Sequence, residues 1–246
     1  MMQIKKEEIK EAILNAGEDE FFEKGYDKAS IRSIVMRAHT TIGNFYNYYN
    51  SKEALYNELV YDIYHQMSHL IKHHKSLESI DQLKELEELR IDDSKDSIKD
   101  IEKILMESSN KSKTKKRYKK KVLWIPKNLK LWRFILKQLV KKYFPPIDRR
   151  FVMLMTATDT TPYAHARTDL AQILEEHFIK HIEDYAPNYA HKELGSIVAN
   201  QVIEGLIQIG RQNLPTSKAQ ELTIEQFLFI TIGTIGILQG GLPNGK

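Results

Sequence analysis

Apolar side chains recur along this chain at intervals of three and four residues, the spacing of one helix face. Ile9, Ile13, Ala16 and Phe21 form the first stripe and predict a helix from about Lys5 to Lys24. Gly25 follows as a C-terminal residue able to turn left-handed without a Cβ penalty. Ser30 can cap a short second helix that buries Ile31, Ile34 and Val35, and a turn at Ala38–Thr40 ends it. Thr41 can cap a third short helix reaching Tyr48 or Tyr49. Ser51 can cap a long fourth helix with Leu55, Leu59 and Ile63 inside. If that helix reaches Lys75 it is about 37 Å long.

The helical period continues to the end. Residues 76–110 read as two amphipathic pieces with acidic outer faces, and residues 109–121 as a loop without an apolar stripe. Residues 127–144 read as a basic amphipathic helix that Pro145 and Pro146 terminate. Helices are predicted at 148–157 and 164–184, split by a turn at Asp159–Pro162, then at about 191–213 and 221–239. No stretch alternates with the period of a half-buried strand, so the fold class is all-α.

The chain has no cysteine, which excludes disulfides, thiolate metal sites and a cysteine nucleophile. Its N-terminal segment lacks a signal-peptide apolar core, and a cytoplasmic location is expected. The longest apolar run, Phe227 to Leu238, is 12 residues and too short to span a bilayer. No nucleophile elbow, phosphate-binding glycine loop or paired-carboxylate constellation stands out, so no catalytic residue, cofactor or enzymatic activity is expected. The net charge of +4 is unevenly spread: residues 1–52 are balanced, whereas residues 111–147 hold 14 basic and no acidic side chains. The basic excess therefore says nothing about the N-terminal helices.

Residues Ser30 to Lys52, SIRSIVMRAHTTIGNFYNYYNSK, form a helix–turn–helix pattern. Two short helices joined by a tight turn allow the second to enter a DNA major groove, where each base pair presents its own donor and acceptor pattern. The exposed face of the third helix is expected to carry Thr40, Thr41, Ile42, Gly43, Asn44 and Asn47. Asn44 and Asn47 can bond adenine edges, and Thr41 and Ile42 can touch thymine methyl groups. Gly43 lets the backbone sit close to the duplex. Tyr46, Tyr48 and Lys52 suit phosphate oxygens, and Ser30 completes the candidate DNA-binding set.

Ile13, Ala16, Phe21, Lys24-Gly25-Tyr26, Ser30-Ile31, Ile34, Ala38, Gly43-Asn44-Phe45-Tyr46 and Ser51-Lys52-Glu53-Ala54-Leu55 share type and spacing with one family. Through them, residues 9–60 resemble the DNA-binding domain of the tetracycline-repressor (TetR/AcrR) family of bacterial transcriptional regulators. The resemblance implies a helix-turn-helix domain at residues 1–52 and a helical effector-binding and dimerisation domain at 53–246. Three departures stand out. His39 occupies a turn position that is usually glycine. Glu20 replaces an apolar residue, which is expected to loosen the first helix. Ile42 stands where a basic residue is common, leaving a neutral domain for which weak nonspecific binding is expected.

The resemblance further implies a homodimer on a near-palindromic double-stranded operator, and release by a small-molecule effector. Repression is that family's commoner mode. The last two helices are apolar nearly all round, so they must be buried on several sides. Val198, Val202, Leu206, Phe227, Ile230, Ile235 and Leu238 are the expected dimer contacts, with Gly205, Gly210, Gly233 and Gly236 allowing close approach. Pocket candidates are Trp124, Trp132, Phe134, Met153, Met155, Tyr163, His165 and His177.

Two alternatives arise from other features. Lys130, Arg133, Lys137 and Lys141 share one helix face, which can lie on an anionic membrane. The favoured reading is instead a solvated face, partly neutralised by the acidic stretch Glu78–Glu107, without membrane contact. His65, His69 and His73, and likewise His177 and His181, recur every four residues, a spacing that can share a metal ion. Solvated histidines are the expectation there, with no metal bound and a metal-responsive regulator as the alternative.

Overall fold

The computed structural model describes residues 2–73, 144–186 and 188–238, together with Arg133, Leu136, Lys137, Val140 and Lys141. Trp124, Trp132, Phe134, the acidic stretch and most of the basic segment lie outside the described residues.

All regular structure among the described residues is helical, as the periodicity predicts. The helices are α1 (Met2–Lys28), α2 (Ile31–Arg37), α3 (Ile42–Tyr46), α4 (Lys52–His73), α5 (Arg149–Met155), α6 (Ala166–Tyr185), α7 (Leu194–Arg211) and α8 (Thr216–Leu238). Gly25 takes φ 75° and ψ 166°, so the first helix breaks after Lys24 as the glycine predicts, and the rest of α1 is a separate short turn that ends at Lys28. The predicted caps form. Ser30 Oγ accepts from the Ser33 amide at 3.1 Å, Thr41 Oγ1 from the Asn44 amide at 3.1 Å, and Ser51 Oγ from the Ala54 amide at 3.0 Å.

One buried cluster runs from the N-terminal helices into the C-terminal ones. Ile13, Ala16 and Phe21 of α1 meet Ile34 and Val35 of α2, Phe45 of α3, and Leu55, Tyr56, Val60 and Ile63 of α4. The same cluster takes in Phe151–Met155 of α5 and Val202, Ile203, Leu206 and Ile207 of α7. Helix α5 is the joint, because it packs on α1, α4 and α7. Its N-terminus is held by polar contacts: Asp148 caps it, Arg149 pairs with Asp19 of α1, and the Arg149 guanidinium lies 4.9 Å from the centre of the Phe22 ring. The Thr160 hydroxyl beyond α5 donates to Asp27 at the end of α1, at 2.5 Å.

A smaller cluster joins Val140 to Ile224 and Leu228 of α8, with Phe144 and Phe227 rings 5.1 Å apart. It places the end of the predicted basic helix against α8. Arg133 pairs there with Glu225 at 2.8 Å. Arg133 of the basic face thus has a counter-charge on α8; the acidic stretch that the sequence suggested as its partner lies outside the described residues. No described helix is long and apolar enough to cross a membrane.

Candidate nucleic-acid interface

Helices α2 and α3 meet through a turn fixed by the backbone. The Ala38 amide donates to the Ile34 carbonyl at 2.9 Å and the Thr40 amide to the Val35 carbonyl at 2.9 Å. His39 turns the chain at φ 50°, the left-handed conformation expected of a glycine position. Phe45 then anchors α3. It is wholly buried, with Tyr46 5.6 Å and Tyr49 5.7 Å away between ring centres.

With Phe45 pointing in, the opposite face of α3 points out. Thr41, Ile42, Gly43, Tyr46 and Asn47 are exposed, while Thr40, Asn44 and Tyr48 are half-buried. Ile42 is 44% exposed and Tyr46 52%. The Asn44 side-chain amide donates to Thr40 Oγ1 at 3.0 Å. Ser30, also exposed, spends its hydroxyl oxygen on the cap of α2.

Lys52 departs from its expected place. Its ammonium donates to the carbonyls of Tyr26 at 2.7 Å and Ala29 at 3.1 Å, and lies 4.3 Å from the centre of the Tyr26 ring. Two of its three protons therefore hold the α1–α2 junction to the start of α4. The sequence pattern could not reveal this, because backbone acceptors carry no side-chain signature.

Glu20 also differs from expectation. It does not loosen α1: its fully buried carboxylate ties the helices together. Lys24 donates to it at 2.8 Å, and Arg37 of α2 reaches it at 3.2 Å while also pairing with Glu23. Burial alone would raise the Glu20 carboxyl. The hydrogen bonds of Lys24 and Ser33 outweigh it and hold the group below its ordinary range.

These pairings leave little free charge beside α3. Lys24, Arg37 and Lys52 are all engaged within the chain. Lys28 and Arg32 are exposed, and among the described residues neither joins an ion pair or a side-chain hydrogen bond. The sequence reading omitted both. Arg32 has no acidic residue three or four positions away, and that spacing was the available signal.

The pocket candidates separate. Met153 and Met155 are buried in the core around α5. Tyr163 is buried with its ring 4.9 Å from Tyr64 and 6.3 Å from Tyr56. His165 is exposed, with Nε2 3.1 Å from the Tyr64 hydroxyl, and His177 is half-buried on α6. An open groove of about 490 Å³ between α6 and α7 is lined by Arg167, Ser196, Ile197, Asn200, Gln201 and Glu204. It contains none of the candidates. Among the described residues no three His, Asp or Glu side chains are grouped for a metal ion.

The expected dimer contacts mostly turn inward. Val202 and Leu206 sit in the chain's own core, and Val198, Phe227 and Ile230 pack against it half-buried. The side chains of Ile235 and Leu238 lie outside the described residues. Gly205 and Gly210 meet Gln226 of α8 and Val152 of α5 within the same chain, whereas Gly233 and Gly236 face open space. Apolar exposure falls instead on Ile197, on Phe229, which is 81% exposed, and on Ile232. Phe229, Ile232, Gly233 and Gly236 follow the spacing of one face of α8.

Residues 13–59 match the model of bacterial regulatory proteins of the tetR family. The chain is 53% identical over 45 residues to the helix-turn-helix transcriptional regulator YvdT of Bacillus subtilis, covering 18% of this chain and 23% of that protein. It is 35% identical over 69 residues to YdgC of the same organism, also a helix-turn-helix transcriptional regulator, covering 28% and 35%. It thus spans about a quarter to a third of the length of these relatives. Among solved structures, a gamma-butyrolactone receptor described as ArpA-like aligns over 96% of this chain and 98% of its own, at 16% identity and a TM-score of 0.41.

Proposed function

We propose, on the premise that this chain is a tetR-family protein with that family's DNA-binding domain at residues 13–59, that it is a ligand-responsive transcriptional regulator. It binds a near-palindromic operator as a homodimer and represses until a small molecule releases it. The observation that carries this reading is the α2–turn–α3 unit, in which buried Phe45 holds α3 so that its opposite face is presented to a major groove.

The dimer uses the stripe formed by exposed Phe229, Ile232 and Gly233 and half-buried Gly236 on α8. An isologous contact there leaves each protomer's core intact. The effector acts by favouring a conformer in which α4 has pivoted, so that two α3 helices no longer match successive grooves. Helix α4 suits that part because it belongs to both halves. It begins beside α3 and carries Tyr56 and Tyr64, which contact the C-terminal half at Met153 and His165.

The test is selection of genomic duplex fragments on the full-length protein at moderate salt, followed by sequencing. Enrichment of a short inverted repeat is expected. Recovery without any preferred sequence would overturn the reading.

A further inference from the structure

The outward face of α3 has two properties that a general capacity to bind duplex leaves unexplained. It is uncharged, and it contains a glycine that the chain itself does not require. A Cβ built on Gly43 meets only Thr41 Oγ1, at 3.8 Å, an ordinary contact, and its φ is not in the left-handed region. Glycine in a helix is destabilising relative to alanine. No packing among the described residues offsets that cost, so its use lies with something approaching from outside.

The charge argument is independent. Guanine is read in the major groove chiefly by arginine or lysine. Of the cations flanking this unit, Lys24, Arg37 and Lys52 are consumed by Glu20, Glu23 and the carbonyls of Tyr26 and Ala29, and the unengaged Lys28 and Arg32 stand on α1 and α2 and not on α3. What α3 presents is the branched aliphatic side chain of Ile42 and, one turn on, the ring of Tyr46. In the major groove the matching apolar feature is the thymine 5-methyl group. Asn44 fits the same base pair. Its amide gives one proton to Thr40 and keeps a second proton and its oxygen, the pair that an adenine edge takes.

Resting on the reading of residues 13–59 as a duplex-binding domain, we infer that this protein recognises an A·T-rich half-site chiefly through contact with thymine 5-methyl groups. Ile42 is the specificity-determining side chain, and Gly43 marks the closest approach.

The experiment uses the full-length protein and the duplex it selects from a random pool. Each thymine is replaced in turn by deoxyuridine, which removes only the methyl group. At one or more positions per half-site affinity falls roughly fourfold, the worth of one buried methyl. Ile42→Ala abolishes the sensitivity at one such position and retains it at the others. Gly43→Ala loses affinity with an unchanged or higher Tm, which separates a lost approach from a lost fold. A selected duplex bound equally well with uracil at every thymine overturns this inference and leaves duplex binding standing. So does a guanine whose 7-deaza replacement costs more than any methyl. Failure to select any sequence overturns both.

Discussion

The Tyr56 hydroxyl donates to the Met153 carbonyl at 2.8 Å, in the interior, across 97 residues of sequence. The acceptor lies in the last turn of α5. There the Ala157 amide bonds Leu154 instead, so the Met153 carbonyl lacks its usual helical donor. The Tyr56 ring is held edge-on by Phe21 at 5.1 Å and Tyr26 at 5.0 Å. One side chain therefore fixes α4 to α5 while its ring packs on α1. Tyr56→Phe keeps the ring and orphans the carbonyl, and should cost about 1–2 kcal/mol in urea unfolding. An unchanged midpoint would mean that water replaces the hydroxyl.

The buried Glu20 carboxylate makes stability depend on acid. Its folded-state pKa lies below the ordinary value of 4.5. It therefore contributes stability that is complete above that value and is lost as pH falls through it toward the folded pKa. Glu20→Gln should lower stability at pH 7, by about 1–2 kcal/mol from its hydrogen bonds. It should also flatten the fall in stability below about pH 5. Parallel acid limbs in wild type and variant would show that Glu20 is not the group responsible.

The local signals in the sequence were readable because each is a short-range event. Ser30, Thr41 and Ser51 act on amides three residues away. The left-handed turn at His39 and the kink at Gly25 follow from backbone sterics at single positions. Long-range partners were not readable. Glu20 breaks the apolar pattern of α1, and only the arrival of Arg37 from α2 makes it a tie. Lys52 is drawn to backbone carbonyls that no side-chain pattern encodes. On α7 and α8 apolar residues cover most faces, so periodicity could not separate the chain's own core from a surface. The packing of Val152 against Gly210 and of Gln226 against Gly205 decides that.

His39 holds φ 50° with a Cβ in place. His39→Gly removes that penalty, and the greater freedom of glycine in the unfolded chain offsets part of the gain. A net stabilisation of about 0.5–1 kcal/mol is expected by urea titration. A loss of stability would instead reveal a native contact made by the imidazole.

Two substitutions separate the exposed face of α8 from the core behind it. Phe229→Asp puts a charge on a side chain that is 81% exposed, and should yield monomer in sedimentation equilibrium with unchanged helical circular dichroism. Val202→Ala removes buried methyl groups, and should cost about 2 kcal/mol of stability without changing the association constant. The reverse pattern would return the interface to α7.

The salt dependence of operator binding should be shallow, and its slope should be traceable to named residues. Each phosphate neutralised adds about −0.9 to the slope of log K against log salt. With Lys24, Arg37 and Lys52 occupied, Lys28 and Arg32 are the cations of the α2–α3 region left for phosphate among the described residues. Two such contacts per domain, doubled in a dimer, give a slope of about −3 to −4. Arg32→Ala removes one contact per domain and should flatten the slope by about 2, weakening specific and nonspecific duplexes alike. A wild-type slope near −8 would mean that the paired lysines and arginines open their internal contacts on binding, or that the basic residues 111–147 reach the duplex. Arg32→Ala with an unaltered slope would place that guanidinium away from the backbone.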